Sequence, residues 1–168
     1  MQLSTLIVMT GAAFAGLAAP AAAQSIDLTV TIPRLSVAEY HRPYVAIWLE
    51  KNGAPAKTLA VWYDHDMKDN EGTKWLRDVR QWWRASGRGL SFPADGITGA
   101  TKAPGTHKVS LGMGTMAPGD YTLLVEDARE VGGRELVKLP FSWPPKPGQA
   151  ASATGSTELG AVSATFKR

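Results

Sequence analysis

The stretch YVAIWLEKNGAPAKTLAVWY, residues 44–63, decides the fold. Tyr44 to Glu50 is apolar at nearly every position, the pattern of a strand buried on both faces and central in its sheet. Asn52-Gly53 is a hairpin turn signal, and Thr58 to Tyr63 is the return strand. Upstream, IDLTVTI (residues 26–32) alternates apolar and polar, as a strand with one buried face does, and Pro33 ends it. Downstream of the turn-rich Asp64 to Gly72 the period changes. Trp75, Val79, Trp82 and Trp83 fall on one helical face, with Arg77, Arg80 and Arg84 mostly off it. This spacing predicts a helix over residues 73–84, with Thr73 as its N-cap.

Residues 85–105 then read as a long loop rich in Gly, Ser and Pro, a length that in a small domain is usually functional or disordered. Strand patterning returns at Thr106 to Leu111, Asp120 to Glu126 and Glu135 to Trp143. Pro144 to Gly148 breaks it, Ala150 to Ser156 is small, polar and expected to be mobile, and Glu158 to Phe166 is a last strand. Seven short strands separated by turns predict an all-β, immunoglobulin-like sandwich with one tryptophan-rich helix inserted between the third and fourth. The sandwich domain is expected over residues 24–143, followed by the Pro/Gly/Ser-rich segment and final strand of 144–168.

The N-terminal segment bounds where such a domain works. An apolar run from Leu6 to Ala19 is broken by Pro20, and Ala21-Ala22-Ala23 offers a small-residue cleavage site before Gln24. The run falls short of the ~20 residues a transmembrane helix needs. Residues 1–23 therefore read as a cleavable secretory signal, although the segment has no Lys or Arg, and the mature chain is expected in the periplasm without stable membrane insertion. The chain has no cysteine, which excludes disulfides, thiolate zinc, iron–sulfur clusters and cysteine-bound haem. A net charge of +3, with acids and bases mixed along the chain, offers no nucleic-acid surface.

The long loop holds Asp95-Gly96-Ile97-Thr98-Gly99-Ala100-Thr101. This resembles the signature by which bacterial flavin transferases recognise exported proteins: an Asp, two free positions, Ser or Thr, Gly, Ala, then Ser or Thr. The resemblance implies flavin mononucleotide (FMN) held covalently on Thr101 through a phosphoester bond. The residue types suit that chemistry. Thr101 supplies the hydroxyl, while Gly99 and Ala100 leave room for a nucleotide and an approaching transferase. Asp95 and Thr98 offer hydrogen bonds that hold a turn, and Lys102 stands where it can offset phosphate charge. The competing reading is a tight turn entering the next strand, with Gly99 supplying a positive φ.

A second resemblance covers nearly the whole mature chain. The succession YVAIWLE, KTLAVWYD, WLRDVRQWWR, DGITGATKAPGTHKV and PGDYTLLVEDAREVGGRELVKLPF resembles the bacterial predicted periplasmic proteins of domain of unknown function 2271. It implies an extracytoplasmic β-sandwich in the genomic company of flavin transferases and membrane reductases with PepSY-type domains. One departure is the turn GMGTMAPG (residues 112–119), short where a longer acidic hairpin is expected.

Together these readings predict a periplasmic electron-transfer protein carrying FMN on Thr101, loaded by a flavin transferase and served by a PepSY-type membrane reductase. It would be a redox carrier and not an enzyme. The alternative is a cofactor-free, immunoglobulin-like binding or accessory module of a membrane redox complex. Other candidates read blandly. Asp64, His65, Asp66 and Asp69 form a cation-binding cluster or, more in keeping with such residues, a solvated acidic turn. Trp75 and Trp82 read as core, with Trp83 open to stacking on a partner or an isoalloxazine ring. Arg77, Arg80, Arg84 and Arg88 are either a solvated face or the source of phosphate contacts.

Overall fold

The alternation of IDLTVTI is realised in β1 (Ser25–Ile32), where Ile26, Leu28, Val30 and Ile32 are buried and the residues between them are half-exposed. The computed structural model describes residues 24–168; the export segment expected over residues 1–23 lies outside the described residues. Eight further strands follow: β2 (Tyr44–Glu50), β3 (Lys57–Tyr63), β4 (Thr98–Ala100), β5 (Gly105–Gly112), β6 (Gly119–Ala128), β7 (Arg134–Trp143), β8 (Ala150–Thr154) and β9 (Ala161–Lys167). They form two sheets, a four-stranded one in the order β5-β1-β9-β8 and a five-stranded one in the order β4-β3-β2-β6-β7. Neighbouring strands run antiparallel except β3 and β4, which are parallel.

The protein is thus mostly β, and β2 sits at the centre of the larger sheet because both of its faces are covered. One face lies between the sheets, where Val45, Ile47 and Leu49 meet side chains of β1 and β9. Phe141 of β7 stacks on Phe166 of β9 with ring centroids 4.0 Å apart, pinning one sheet to the other. The opposite face carries Tyr44, Ala46 and Trp48 into a second cluster under Leu76, Val79 and Trp82. The helical segment is therefore a third layer on the outside of the five-stranded sheet.

That segment departs from the single helix predicted over residues 73–84. Lys68–Asp78 winds as 3₁₀ turns, interrupted by Asp69 and Asn70 at φ 55 and 54, and the α-helix α1 is only Arg80–Ala85. Asp and Asn tolerate the left-handed region better than most residues. Thr73 caps nothing; its hydroxyl donates to the Asn70 carbonyl at 2.7 Å. The cap comes from the sheet. The buried Glu126 of β6 accepts the Gln81 N–H at 3.0 Å and the Trp82 N–H at 2.8 Å, which starts the α-helix at that turn. The periodic face of Trp75, Val79 and Trp82 is still the buried one. Periodicity reports burial, and it does not distinguish a broken helix from a continuous one.

Two further elements differ from the sequence reading. Ala150–Thr154, expected to be mobile, pairs with β9 as an edge strand whose Ala151 and Ala153 pack on the core. An edge strand needs one partner and little burial, so small residues suffice. The last strand begins at Ala161 because Glu158 and Leu159 turn inward and are buried. The Glu135 carboxylate fixes that turn, accepting the N–H groups of Ser156, Thr157, Glu158 and Leu159 at 2.6–3.1 Å.

Candidate functional site

Sheet register brings Thr101 to its neighbours. In the β2–β3 and β3–β4 ladders Val45 pairs with Trp62, and Tyr63 with Ala100. The next residues along β3 and β4 are Asp64 and Thr101, and the Thr101 hydroxyl donates to Asp64 Oδ1 at 3.0 Å. The start of β2 and the ends of β3, β4 and β6 all reach this same end of the five-stranded sheet.

The segment that delivers Thr101 is built, not slack. Gly87 lies so close to the Trp82 ring that a Cβ there would stand 2.8 Å from Cη2. Phe92 packs edge-on against Tyr63 and Trp82 at 5.6 and 5.9 Å between centroids. A turn at Ala94 to Ile97 follows, with Gly96 at φ 71. Thr98 holds that turn as expected, its Oγ1 accepting the Ala94 N–H at 2.8 Å, while Asp95 stands exposed. Gly99 does not supply the positive φ of the tight-turn reading. Its hydrogen is required because a Cβ would lie 2.9 Å from Trp62 Cδ1. The expectation of one long loop over residues 85–105 is thereby corrected: Phe92 packs on Tyr63 and Trp82, and Thr98–Ala100 pair with β3 as a strand.

Thr101 is half-buried and lies on the wall of two adjoining cavities. The larger, about 560 Å³, is walled by Tyr40, Tyr44, Met67, Trp75 and Arg129, with Asp64, Asp78 and Glu130 adding carboxylates. The smaller, about 400 Å³, runs along Asp64, His65, Asp66 and Ala100. Arg42 lines both. Lys102, the cation expected beside a phosphate, instead has its ammonium 5.5 Å from the Trp62 ring centroid. Arg77, Arg84 and Arg88 line neither cavity, and Arg80 borders a separate recess beyond Trp75. Trp82 is fully buried core, and Trp83 packs partly buried beside it. Trp75 is the tryptophan that reaches the larger cavity.

The electrostatics of the wall follow from what is buried beneath it. Arg129 is held by a bidentate pair with Glu158, Nε to Oε2 at 2.9 Å and Nη2 to Oε1 at 3.0 Å. Its remaining nitrogen, Nη1, and the Tyr40 hydroxyl are buried without a partner. Each such orphan costs about 1–3 kcal/mol while it lacks an acceptor. The Arg129 guanidinium lies 5.8 Å from the Tyr40 ring centroid. Burial, aided by the Asp64 charge, pushes the Tyr44 phenol up to about 12, so it stays a neutral donor, here to the Gly72 carbonyl at 3.0 Å. The hydrogen bond that His41 Nε2 donates to the Glu39 carboxylate raises the His41 imidazole. Asp64 is drawn to Thr101 and His65 to Asp66, and no group of three or more His, Asp or Glu residues is gathered for a metal among the described residues.

Tyr40, Arg42 and Arg129 lie far from the motif in sequence and carry no local signal; only the strand register collects them around Thr101. The family model described as predicted periplasmic protein (DUF2271) matches residues 25–161. The chain belongs to this family. Every residue of both cavities falls inside the span matched to DUF2271. No curated protein and no solved structure matches the chain. Among the described residues, this DUF2271 chain has no helix long and apolar enough to cross a membrane.

Proposed function

We propose that this protein is a periplasmic electron carrier that holds FMN covalently on Thr101. The observation that carries the reading is the placement of one hydroxyl. Thr101 Oγ1 stands half-buried at the meeting of two cavities, hydrogen-bonded to a carboxylate, at the end of a short strand that the DGITGAT motif itself forms. A hydroxyl sunk in packed core would leave a nucleotide no way out. The residues also suit the group: cationic Arg42 at the junction, orphaned donors on Tyr40 and Arg129, and aromatic walls. The exported sandwich we read as immunoglobulin-like, supported by one core layer between two largely antiparallel sheets.

Attachment has a simple balance. FMN alone would have to expel hydroxide, so the donor is a flavin dinucleotide presented by a flavin transferase. The Thr101 Oγ–phosphorus bond forms, the diphosphate bond to the nucleoside monophosphate breaks, and the hydroxyl proton leaves toward Asp64 or the transferase. Asp64 orients the hydroxyl, Gly99 lets β4 lie flat on Trp62, and Arg42 offsets the phosphate charge. The bound flavin would supply the electron-transfer chemistry, received from a PepSY-type membrane reductase, while the protein holds and tunes it.

The test is co-expression of the full chain with an active flavin transferase, followed by denaturing electrophoresis and intact-mass measurement. In-gel flavin fluorescence and the added mass of FMN are expected for the wild type and for Thr101→Ser, and neither for Thr101→Ala. An unmodified wild type beside a modified control substrate makes the protein a cofactor-free module instead.

A further inference from the structure

Two cavities adjoin Thr101, and they are chemically different. The smaller one offers no tyrosine or tryptophan ring face, since its Tyr63 is 1 % exposed, and Arg42, Asp64, His65 and Asp66 make up half of its wall. The larger one presents the half-buried rings of Tyr40 and Trp75, with Met67 beside them and Tyr44 as a nearly buried floor. Its volume, about 560 Å³, lies within the ~300–1,000 Å³ usual for sites that enclose a small organic group. Its polar groups include Arg129, locked by Glu158, and the unpartnered Tyr40 hydroxyl.

Taken with the attachment reading, on which this inference rests, we propose that the tethered isoalloxazine seats in this larger cavity. Its ring lies among Trp75, Tyr40 and Tyr44, its carbonyl-bearing edge lies toward Tyr40 and Arg129 on the cavity wall, and its phosphate rests by Arg42. The match is one of amphipathic shape. An isoalloxazine is a flat aromatic body with one apolar end and one edge of carbonyls and ring nitrogens. The cavity likewise joins aromatic and thioether walls to a fixed guanidinium and a phenol. The tether allows it: eight single bonds of about 1.5 Å separate Thr101 Oγ from the ring, a reach of roughly 10 Å when extended. Arg42 borders both cavities beside Thr101, where the phosphate must lie whichever way the ring turns. Asp78 and Glu130 also line the cavity, and their carboxylates are acceptors for the one N–H of the ring edge.

Tryptophan and tyrosine rings in contact with a flavin quench its fluorescence by electron donation, which gives a readout independent of redox activity. The full chain is flavinylated by co-expression, and attachment at Thr101 is established by peptide mass. Flavin emission is then compared in the native state and in guanidinium for wild type, Trp75→Leu and Tyr40→Leu, with folding checked by circular dichroism. Tyr40 lies outside the strands and helices, so Tyr40→Leu serves if Trp75→Leu does not fold. The expected result is a severalfold rise in wild-type emission on unfolding, with a smaller rise in each variant because its native state is already brighter. Equal emission from native and unfolded wild type, with FMN present on Thr101, overturns the seating and leaves the attachment standing. If no FMN mass appears on Thr101 despite an active transferase, both fall together.

Discussion

Raising the pH from about 5 to about 9 should destabilise this protein through one side chain, Asp127 of β6. Asp127 is fully buried; its Oδ1 accepts the Glu135 N–H at 2.9 Å, and its Oδ2 has no partner. Burial pushes its carboxyl from 3.8 to about 8, helped by the charges of Glu158, Glu135 and Glu126 and opposed by that one hydrogen bond. In the unfolded chain the ordinary value returns. Between the two values the folded protein binds a proton that the unfolded chain has released, so stability falls as pH rises. The contribution is fully present below about 4 and is lost as pH climbs through about 8. The slope approaches 1.4 kcal/mol per pH unit, and the whole window from 3.8 to about 8 amounts to about 6 kcal/mol. Asp127→Asn keeps the Oδ1 acceptor and cannot ionise. Urea unfolding followed by tryptophan fluorescence at each pH unit should show wild-type stability falling steeply while Asp127→Asn stays comparatively flat. The raised His41 imidazole, hydrogen-bonded to Glu39, contributes with the same sign, but both proteins share it and the difference between them cancels it. Parallel curves for wild type and Asp127→Asn would refute the argument.

Three other outcomes follow from particular contacts. Gly99→Ala places a methyl 2.9 Å from Trp62 Cδ1 and should cost about 1–3 kcal/mol by thermal unfolding, with less flavin attached as Thr101 moves from Asp64; an unchanged melting temperature contradicts it. Glu126→Leu strips the cap from the Gln81 and Trp82 N–H groups and the ion pair to Arg134, for a loss of about 3 kcal/mol in urea midpoints, whereas a neutral effect would show that the helix needs no such cap. Burial works to raise the Glu135 carboxyl, but the backbone N–H groups of Ser156, Leu159 and Thr157 and the Ser156 hydroxyl outweigh it and lower it to about 2. That stability is present above about 4.5 and lost as pH falls toward 2. Glu135→Gln should therefore be weaker than wild type at pH 6 and close to it near pH 2.5, and a constant gap across that range would exclude the mechanism.

Much of the β framework was legible because burial leaves a period in the chain. β1 alternates and β2 is apolar throughout, and each sits in the sheet where that pattern puts it. The helical layer was legible as a face and not as a helix. Trp75, Val79 and Trp82 are buried, yet the cap that divides the segment is Glu126, forty-four residues beyond Trp82. β8 was missed because small residues at an edge strand need no apolar signature; pairing with β9 makes them a strand. At the site, DGITGAT pointed to Thr101, and the role of Thr98 in holding its turn was visible locally. Gly99 was singled out for room and flexibility, while the structure shows a close approach to Trp62.

The chain alone determined what depends on near neighbours: which strands have one wet face, where the glycine-bearing DGITGAT segment places a threonine hydroxyl, and which chemistries are closed to a protein without cysteine. Only the tertiary structure decided what stands around that hydroxyl. Arg42 borders the site and Lys102 lies over Trp62, and Trp75 reaches the cavity while Trp82 is core. The physical reason is that periodicity records solvent exposure one residue at a time, whereas a site is assembled by register between strands. Thr101 meets Asp64 because Ala100 pairs with Tyr63, and a slip of one residue in that ladder would turn a different side chain toward it.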